Sequence, residues 1–253
     1  MGRLLYPLAA ALACGAAPVH AADMLADAAA SDGADPIVIT GQQVKYGVRS
    51  TSTATKTDTD VKDIPQALTT VTSEQIADQQ IRSVGELLLY VPGASYNAGE
   101  GNRDTIVLRG NSSTADFFVD GVRDDVQYFR DFYNVDRVEV LKGPNAMIFG
   151  RGGGGGIVNR VLKRPTLAPY RELTGSADAW GDFRFTGDVD QPLSSTVGVR
   201  LNAMYEGGDS FRHRVELHRY GINPTAAVVT GSTRIDLSYE HFHDRRTDRK
   251  SVV

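Results

Sequence analysis

Three glycines have the spacing of a nucleotide-binding loop. Gly150, Gly152 and Gly155 match G-x-G-x-x-G, a pattern in which the missing side chains let the backbone approach a pyrophosphate. That chemistry needs a helix directly after the glycines, because the helix N-terminus receives the phosphates. Residues 157–162 instead have the β-branched composition of a strand, and Pro165 ends it. A nucleotide-dependent oxidoreductase is therefore the least favoured function.

Two other groups of residues could do chemistry. Asp124 and Asp125 are adjacent, so their side chains diverge in an extended chain, and no histidine is placed to work with them. His241 and His243 lie on one face of a predicted strand, but the sequence supplies no convincing third and fourth metal ligands. We therefore expect no catalytic site and no resident metal or cofactor, which means that the protein is not an enzyme.

Composition excludes further classes of protein. The net charge is −4 and the pI is about 5.7, so the chain lacks the basic footprint of a nucleic-acid-binding protein. Residues 1–21 have an early Arg3, an apolar core and a small-residue cleavage site after Ala21, as secretory signal peptides do. They also contain the one cysteine, Cys14. Cleavage would leave a mature chain in which disulfides and thiol catalysis are both impossible.

Residues 22–56 are rich in Ala, Asp, Ser, Thr and Gly. They cannot bury enough apolar surface to offset the entropy of ordering, so they are predicted to be a flexible tether. One β-branched run interrupts them, formed by Ile37, Val38, Ile39 and Thr40. Such a run suits the addition of a strand to an exposed sheet edge of a partner. A chance apolar run in a linker is the alternative on these residues alone.

A small domain between residues 57 and 166 must position any functional side chains. Its apolar runs predict strands at 67–71, 105–108 and 116–119, and Asp120-Gly121 is a tight-turn signal. Two capping boxes predict short helices, and they are formed by Thr72 with Gln75 and by Ser83 with Glu86. Short helices among short strands predict an α+β domain.

Residues 134–165 form the central part of this domain. Val138 and Val140 alternate with other residues as in a strand, Gly143-Pro144 breaks the pattern, and one helical turn is predicted to follow. The five glycines at 152–156 lead into the strand at 157–162. A glycine run is too flexible to hold a shape alone, so we expect other structure to enclose it.

After Pro165 the pattern changes to period two. Phe183, Phe185 and Val189 alternate with polar residues, and residues 197–206 and 235–240 behave in the same way. Alternating runs of about ten residues separated by polar turns are typical of transmembrane β-strands, apolar toward lipid and polar toward the lumen. A soluble antiparallel sandwich alternates similarly, and these runs alone do not separate the two.

The run VEVLKGPNAMIFGRGGGGGIVN, followed by Lys-Arg-Pro, closely resembles the plug domain of TonB-dependent outer-membrane receptors. The resemblance extends, in the family's order, to Asp63-Ile64-Pro65-Gln66, Leu108-Arg109-Gly110 and Val119-Asp120-Gly121. The receptors for ferric catecholate siderophores are the most similar branch. The resemblance implies an α+β plug domain followed by the first antiparallel strands of a transmembrane β-barrel. It divides the chain into a signal peptide at 1–21, a periplasmic tether at 22–56, the plug at 57–166 and about five barrel strands at 167–253.

The resemblance also implies roles for individual residues. The TonB box would be Ile37, Val38, Ile39 and Thr40. The apical loops at 97–103, 112–114 and 127–130 would face outward, and the candidate ligand contacts there are Tyr96, Arg103, Tyr128 and Arg130. Glutamates of the barrel wall would lock two enclosed arginines, Arg109 and Arg151. The remaining motif residues are Asp120, Gly121, Glu139, Lys142, Gly143, Pro144 and Gly150.

The function implied by the resemblance is energy-coupled import of a ferric siderophore of the catecholate class. The expected partners are TonB with its inner-membrane complex, the siderophore as transported ligand, and outer-membrane lipid. A plugged barrel uses about 22 strands, so the chain is expected to be a piece of a receptor or a truncated product that does not transport. A receptor for another substrate is the remaining alternative.

Overall fold

The computed structural model describes residues 46–97, 103–143, 146–150, 154–209 and 216–246. The predicted signal peptide, the run Ile37 to Thr40, Pro144 and Arg151 lie outside the described residues. The predictions made for them stay predictions. Within the described ranges, no helix is both long enough and apolar enough to cross a membrane.

The α+β domain is built on five strands, which are β3 (Ala67–Thr72), β7 (Phe117–Val119), β8 (Val122–Arg123), β9 (Val135–Lys142) and β10 (Gly156–Leu162). They form one sheet in the order β3-β9-β10-β7-β8. The pairing of β10 with β7 is parallel, and the other pairings in this sheet are antiparallel. The two strands predicted around the glycine run are therefore neighbours at the centre of the domain.

Shorter elements surround this sheet. The short strands are β1 (Ser50–Thr51), β2 (Thr59–Asp60), β4 (Ala94–Tyr96), β5 (Ile106–Leu108) and β6 (Asn111–Ser113). The helices are a 3-10 turn at Val61–Asp63, α1 (Ser73–Asp78), α2 (Val84–Leu88) and α3 (Ala146–Phe149). Both predicted N-caps are present, because Thr72 accepts from the Gln75 N–H and Ser83 from the Glu86 N–H.

The central sheet is buried on both faces. Val138 and Val140 of β9 pack with α2 and β7 on one face. Leu141 of β9 and Ile157 of β10 pack with Phe149 of α3 on the other. All four of these aliphatic side chains are fully buried. Both faces are buried although β9 also carries Glu139 and β10 carries Asn159 and Arg160, which are buried polar side chains.

The second half of the described chain is a six-segment antiparallel sheet, called the wall below. Its strands are β11 (Tyr170–Ala177), β12 (Phe183–Pro192), β13 (Val197–Asp209), β14 (Glu216–Thr230), β15 (Thr233–Ser238) and β16 (His241–Arg246). The order is β11-β12-β13-β14-β15, and β16 also pairs with β14. β15 and β16 are thus two halves of one strand position, which gives five positions in the described wall.

The wall alternates as the sequence predicts. Phe185, Leu201 and Tyr205 are exposed on its outward face, whereas Arg184 and Glu206 are buried on the face that meets the α+β domain. The connections at 178–182 and 210–215 are longer than those at 193–196 and 231–232. Outer-membrane barrels have their longer loops outside and their short turns in the periplasm. We therefore call the first end of the wall its outer end and the second its inner end.

Strand β14 was not predicted from the sequence, and the strand after it is interrupted. β15 pairs with residues 225–230 of β14, and β16 pairs with residues 217–222. At the gap, Glu240 leaves the ladder and accepts hydrogen bonds from Tyr133 Oη at 3.1 Å and Asn134 Nδ2 at 2.9 Å. The interruption therefore places a wall carboxylate on the α+β domain.

Candidate functional site

The structure brings together described residues of the three predicted apical loops, and residues 98–102 of the first loop lie outside the described residues. Arg103 Nη1 donates to Gln127 Oε1 at 2.7 Å, and Gln127 Nε2 donates to Thr114 Oγ1 at 3.4 Å. The ring centroid of Phe129, two residues after Gln127, lies 3.9 Å from the Arg219 guanidinium near the outer end of β14. The face of an aromatic ring attracts a cation electrostatically. The loops thus form one half-exposed polar surface at the outer end, called the apical cluster below.

Arg130 does not belong to the exposed part of this cluster, which corrects its prediction as a ligand contact. Its side chain is 0% exposed and packs on the Phe117 ring at 3.9 Å. Its guanidinium donates to Asp124 Oδ2 at 3.1 Å and to the backbone oxygens of Tyr128, Asp124 and Val126. A guanidinium with these partners is satisfied inside the fold, so Arg130 holds the loops in shape.

The two predicted tyrosine contacts are also committed to the fold. Tyr128 Oη donates to Asp124 Oδ2 at 2.8 Å and accepts from Arg160 Nη2 at 2.6 Å. Burial raises the pKa of the Tyr128 phenol. Tyr96 packs so closely on α2 that a Cβ at Gly85 would lie 2.9 Å from its ring. Arg103 is half-buried like the two tyrosines, but its hydrogen bond to Gln127 lies within the apical cluster.

A buried acid lies beneath the apical cluster. Asp104 is 1% exposed, accepts from the Arg130 backbone N–H at 2.9 Å, and lies 3.6 Å from the Arg130 guanidinium. Burial raises the Asp104 pKa, and Arg130 opposes the rise. A buried charge is tolerated when it is paired and hydrogen-bonded. The pair therefore ties the start of β5 to the loop at 127–130.

Ion pairs join the α+β domain to the outer half of the wall. Arg184 of β12 contacts both oxygens of Asp131, at 2.6 and 2.8 Å, and also donates to Glu206 at 3.0 Å. Arg82, which follows α1, reaches Glu206 at 3.4 Å and Asp182 at 3.3 Å. Because Asp131, Arg184 and Glu206 are all buried, this latch is a network of mutually compensating charges.

A second set of contacts joins the inner half. Lys163 Nζ lies 2.9 Å from Asp188, and Arg200 pairs with the same carboxylate at 2.7 Å. Burial and the neighbouring Glu240 raise the pKa of the Tyr133 phenol, so it stays a donor to that carboxylate. The two domains of the described chain are thus held together mainly by charged and polar groups.

The predicted lock residue Arg109 is not part of either set. It has φ 51° in the turn between β5 and β6, and its side chain is exposed in the described structure. The expected enclosure of Arg109 and its pairing with barrel glutamates stay predictions, because the described wall has five of the about 22 strand positions of a plugged barrel. A wall glutamate, Glu206, does pair with an arginine of the α+β domain, but that arginine is Arg82.

A short N-terminal segment covers buried polar groups of the central sheet. Thr51 Oγ1 donates to Glu139 Oε1 at 2.7 Å, and Thr53 Oγ1 accepts from Asn159 Nδ2 at 3.0 Å. Thr51 and Thr53 are 2% and 6% exposed, and Glu139 is 0% exposed. Glu139 Oε2 has no hydrogen-bond partner. Residues 51–54, called the strap below, therefore shield a buried carboxylate and supply one of its hydrogen bonds, while Arg137 Nε donates to the same Glu139 oxygen at 2.7 Å. Most of the strap is buried and it lies within residues 22–56, so the prediction of a flexible tether is wrong for residues 51–54.

The other motif residues shape the central turns. Asp120 (φ 48°) and Gly121 (φ 80°) form the tight turn after β7, and Asp120 Oδ1 accepts from the Leu162 N–H at 3.2 Å. Gly143 (φ 111°) and Gly150 (φ 79°) adopt conformations that favour glycine. Lys142 Nζ donates to Thr69 Oγ1 at 3.0 Å and to the Pro92 oxygen at 3.2 Å. These roles are structural.

The described end of the glycine run is enclosed, as expected. A Cβ at Gly155 would lie 2.4 Å from the Leu108 oxygen, and one at Gly156 would lie 2.3 Å from the Leu141 oxygen. No side chain fits at either position. In the described ranges, no group of three or more His, Cys, Asp or Glu residues is arranged to hold a metal ion. The arrangement offers docking and ligand contact at its outer end.

Sequence reasoning missed the latch. Arg184 and Glu206 occupy polar positions of alternating strands, and that pattern alone predicts a lumen-facing side chain. Their partner Asp131 lies in an irregular segment between predicted elements. The charges at lumen-facing positions of the strands could have indicated contacts with the plug. No local sequence pattern identifies Asp131 as the partner of Arg184, because the two residues are 53 positions apart.

Known proteins resemble this chain in sequence and fold. The family model described as TonB-dependent Receptor Plug Domain matches residues 60–157. The probable TonB-dependent receptor BfrD of Bordetella pertussis is 31% identical over 225 residues, which cover 85% of this chain and 30% of BfrD. The catecholate siderophore receptor Fiu of Escherichia coli K12 is 31% identical over 245 residues, which cover 94% of this chain and 32% of Fiu.

A crystal structure of Fiu and one further relative support the same assignment. The closed-form crystal structure of Fiu superimposes with a TM-score of 0.75 at 31% identity, over 80% of this chain and 29% of that one. The ferrichrome outer membrane transporter/phage receptor of E. coli K12 is 29% identical over 195 residues, which cover 73% of this chain and 26% of the transporter.

The chain spans about a third of the length of these relatives. All of them are named as receptors or transporters, in agreement with the prediction that the chain is not an enzyme. The predicted outer-membrane localisation agrees with the same assignment. The predicted fold is confirmed, because the plug model matches residues 60–157 and the superposition on Fiu covers 80% of the chain. The chain belongs to the TonB-dependent receptors, and it comprises their plug domain and the first strands of their barrel.

Proposed function

We propose that the full-length protein is a TonB-dependent outer-membrane receptor that imports a ferric siderophore of the catecholate class. The observation that carries the proposal is the apical cluster, in which three loops of the plug converge at the outer end of the wall around Arg103 and Gln127. The 31% identity with a catecholate siderophore receptor supports the substrate class.

Arg103 is the proposed ligand contact. A ferric tris-catecholate is an aromatic trianion, and a guanidinium can pair with its charge and stack on its rings. Arg103 lies on the apical surface, whereas Arg130 and Tyr128 are engaged beneath it. These two residues are proposed to position the loops. Ligand bound at Arg103 would press on a surface that Arg130 and Asp104 connect to the plug core.

The strap is the proposed coupling point. Ile37 to Thr40 is proposed to pair with a sheet edge of TonB, with main-chain hydrogen bonds supplying the affinity. A pull on that run passes along the chain through Tyr46, whose hydroxyl donates to Asp78 at 2.6 Å, and next reaches the strap. Displacing the strap removes the Thr51 donor from Glu139 and the Thr53 acceptor from Asn159. Glu139 would keep its Arg137 donor but lose one hydrogen bond, which weakens the contacts that cover this face of the central sheet.

The experiment that tests the substrate class is ligand binding by the purified full-length receptor. Ferric tris-catecholate and ferric tris-hydroxamate chelates are titrated against the receptor, with quenching of intrinsic fluorescence as the readout. We expect catecholate binding that Arg103→Gln weakens by roughly tenfold, the loss of one charge-assisted contact. Lys62→Gln, at an exposed ion pair of the plug, is the matched control and should bind normally.

The outcomes separate the family from the substrate. Preference for the hydroxamate chelate would show that the catecholate assignment is wrong and leave import by a TonB-dependent receptor standing. Binding of neither chelate would contradict the proposed function itself. Normal binding by Arg103→Gln would move the contact elsewhere in the apical cluster.

A further inference from the structure

The histidines of this chain are concentrated in one place. The chain has five, and every one after residue 21 lies either at 213 and 218 or at 241 and 243. His213 is outside the described residues. The other three lie on β14 and β16, in the outer half of the wall. A distribution this narrow calls for a physical explanation.

Strand register brings these histidines together with an arginine. His218 is directly opposite Arg245, and Tyr220 is directly opposite His243. Residues opposite each other on one face of an antiparallel pair have Cβ atoms about 5 Å apart. The Tyr220 ring lies 5.0 Å from the His243 ring and 5.8 Å from the His241 ring. The five side chains form one cluster, called the outer patch below.

The outer patch faces away from the plug. The intervening residues of the same strands point inward, since Arg219 contacts Phe129 of the plug and Phe242 stacks on Tyr133. The patch residues His218, His241, His243 and Arg245 are all exposed, and Tyr220 is 43% exposed. In a barrel this face meets lipid.

The neighbouring residues set the depth of the patch. Tyr205 is opposite Tyr220 on the next strand, and Phe185 is opposite Tyr205. The apolar band continues toward the inner end with Leu201 and Val189. A cation on the lipid face costs about 2–4 kcal/mol at the bilayer midplane and about 0–1 near the interface. A group of imidazoles and a guanidinium is therefore expected at the level of the lipid headgroups.

We propose that the outer patch binds a phosphate group of an outer-leaflet lipid. Imidazole and guanidinium N–H groups donate to phosphate oxygens, and arginine does so with two parallel bonds. Tyr220 and Tyr205 below the patch supply a surface for the start of the acyl chains. Two carboxylates, Asp209 and Glu216, lie beyond the patch toward the tip and oppose an anion there. These two carboxylates are expected to lower the affinity for a phosphate group, and removing their charge should raise it.

The inference does not depend on the siderophore assignment, and its test uses no siderophore. The full-length receptor is reconstituted into phosphatidylcholine nanodiscs doped with diphosphorylated lipid A. Retained lipid A is counted by mass spectrometry, with its monophosphorylated and dephosphorylated forms as competitors. The variant His218→Gln/His241→Gln/His243→Gln/Arg245→Gln removes the donors of the patch. Arg171→Gln, at the inner end of the exposed strand β11, is the matched control.

We expect the receptor to retain diphosphorylated lipid A selectively, and the fourfold variant to lose about tenfold in affinity. The single variant Arg245→Gln should lose part of this affinity. It still tests the proposal if the fourfold variant misfolds. Glu216→Gln should bind more tightly, whereas Arg171→Gln should be unchanged. Equal retention by the receptor and its patch variants would overturn the proposal. Competition by inorganic phosphate as strong as that by lipid A would also overturn it, because it would indicate a nonspecific anion-binding surface. A dimer that forms through the outer patch and binds no lipid would overturn it as well.

Discussion

Replacing Arg184 with Gln tests whether the latch holds the plug to the wall. The Arg184 side chain is 8% exposed, and it supplies both short contacts of Asp131, whose side chain is 1% exposed. Its loss leaves Asp131 buried with the Tyr133 backbone N–H at 2.9 Å as its remaining donor, and Glu206 keeps Arg82 and Arg219. Removing one partner of a buried pair costs about 3–5 kcal/mol. Docking of the plug should therefore weaken by roughly two to four powers of ten.

The assay follows the plug inside the full-length receptor. Urea is raised in steps below the concentration that unfolds the barrel, and a protease reports the fraction of plugs that have opened. Lys62→Gln is the matched control, because its pair with Asp60 is 74% and 45% exposed and is worth about 0–1 kcal/mol. The double variant Asp131→Asn/Arg184→Gln removes both charges and should cost less than Arg184→Gln alone.

Two results would refute this reasoning. A loss under about 1 kcal/mol for Arg184→Gln, equal to that of the exposed control, would show that the latch contributes nothing to docking. A double variant that is worse than the single variant would show that the cost does not come from an unpaired Asp131 carboxylate.

Three further predictions concern the plug itself. Arg130→Met leaves the Asp104 and Asp124 carboxylates without their shared guanidinium. In a chemical unfolding titration, the free energy of unfolding of the plug should fall by about 3–5 kcal/mol, whereas Arg103→Met should lower it by under about 1 kcal/mol. Thr51→Val removes a donor from buried Glu139 at nearly constant volume. The free energy of opening of residues 51–54, measured by hydrogen exchange, should fall by about 1–3 kcal/mol, whereas the exposed change Thr57→Val should leave it unchanged. Gly155→Ala places a Cβ 2.4 Å from the Leu108 oxygen and should lower the yield of folded receptor, whereas Gly154→Ala has its nearest neighbour at 3.8 Å and should be tolerated. If a variant and its control gave the same result, the contact assigned to the substituted residue would be contradicted.

Local patterns were sufficient for the elements whose cause is local. Both helix caps, the Asp120-Gly121 turn and the period-two strands follow from side chains within a few residues of each other, and the structure has them. Strand β14 escaped prediction because its alternation is broken by Gly221 and Pro224. Pairing with β13 along its whole length holds it extended.

The functional residues were harder to predict because their roles depend on distant partners. Arg130 and Tyr128 look like exposed loop residues, but Asp104 and Arg160 approach them from two other segments, and both also contact Asp124 of their own loop. Arg109 follows an apolar strand, and in the described structure its side chain is exposed with its guanidinium beside Gly143. Burial of a polar side chain is thus a property of the assembled fold, which one segment of sequence does not contain.

The central claim is that pulling on the tether drives import, and uptake by energised cells tests it most directly. Cells that depend on the full-length receptor are given radiolabelled ferric catecholate, and uptake is compared with surface binding. Ile39→Pro removes a backbone donor from the proposed TonB-pairing run, so we expect binding to persist and uptake to stop. Ser31→Pro, elsewhere in the tether, should leave both intact. Normal uptake by cells carrying Ile39→Pro would contradict the account.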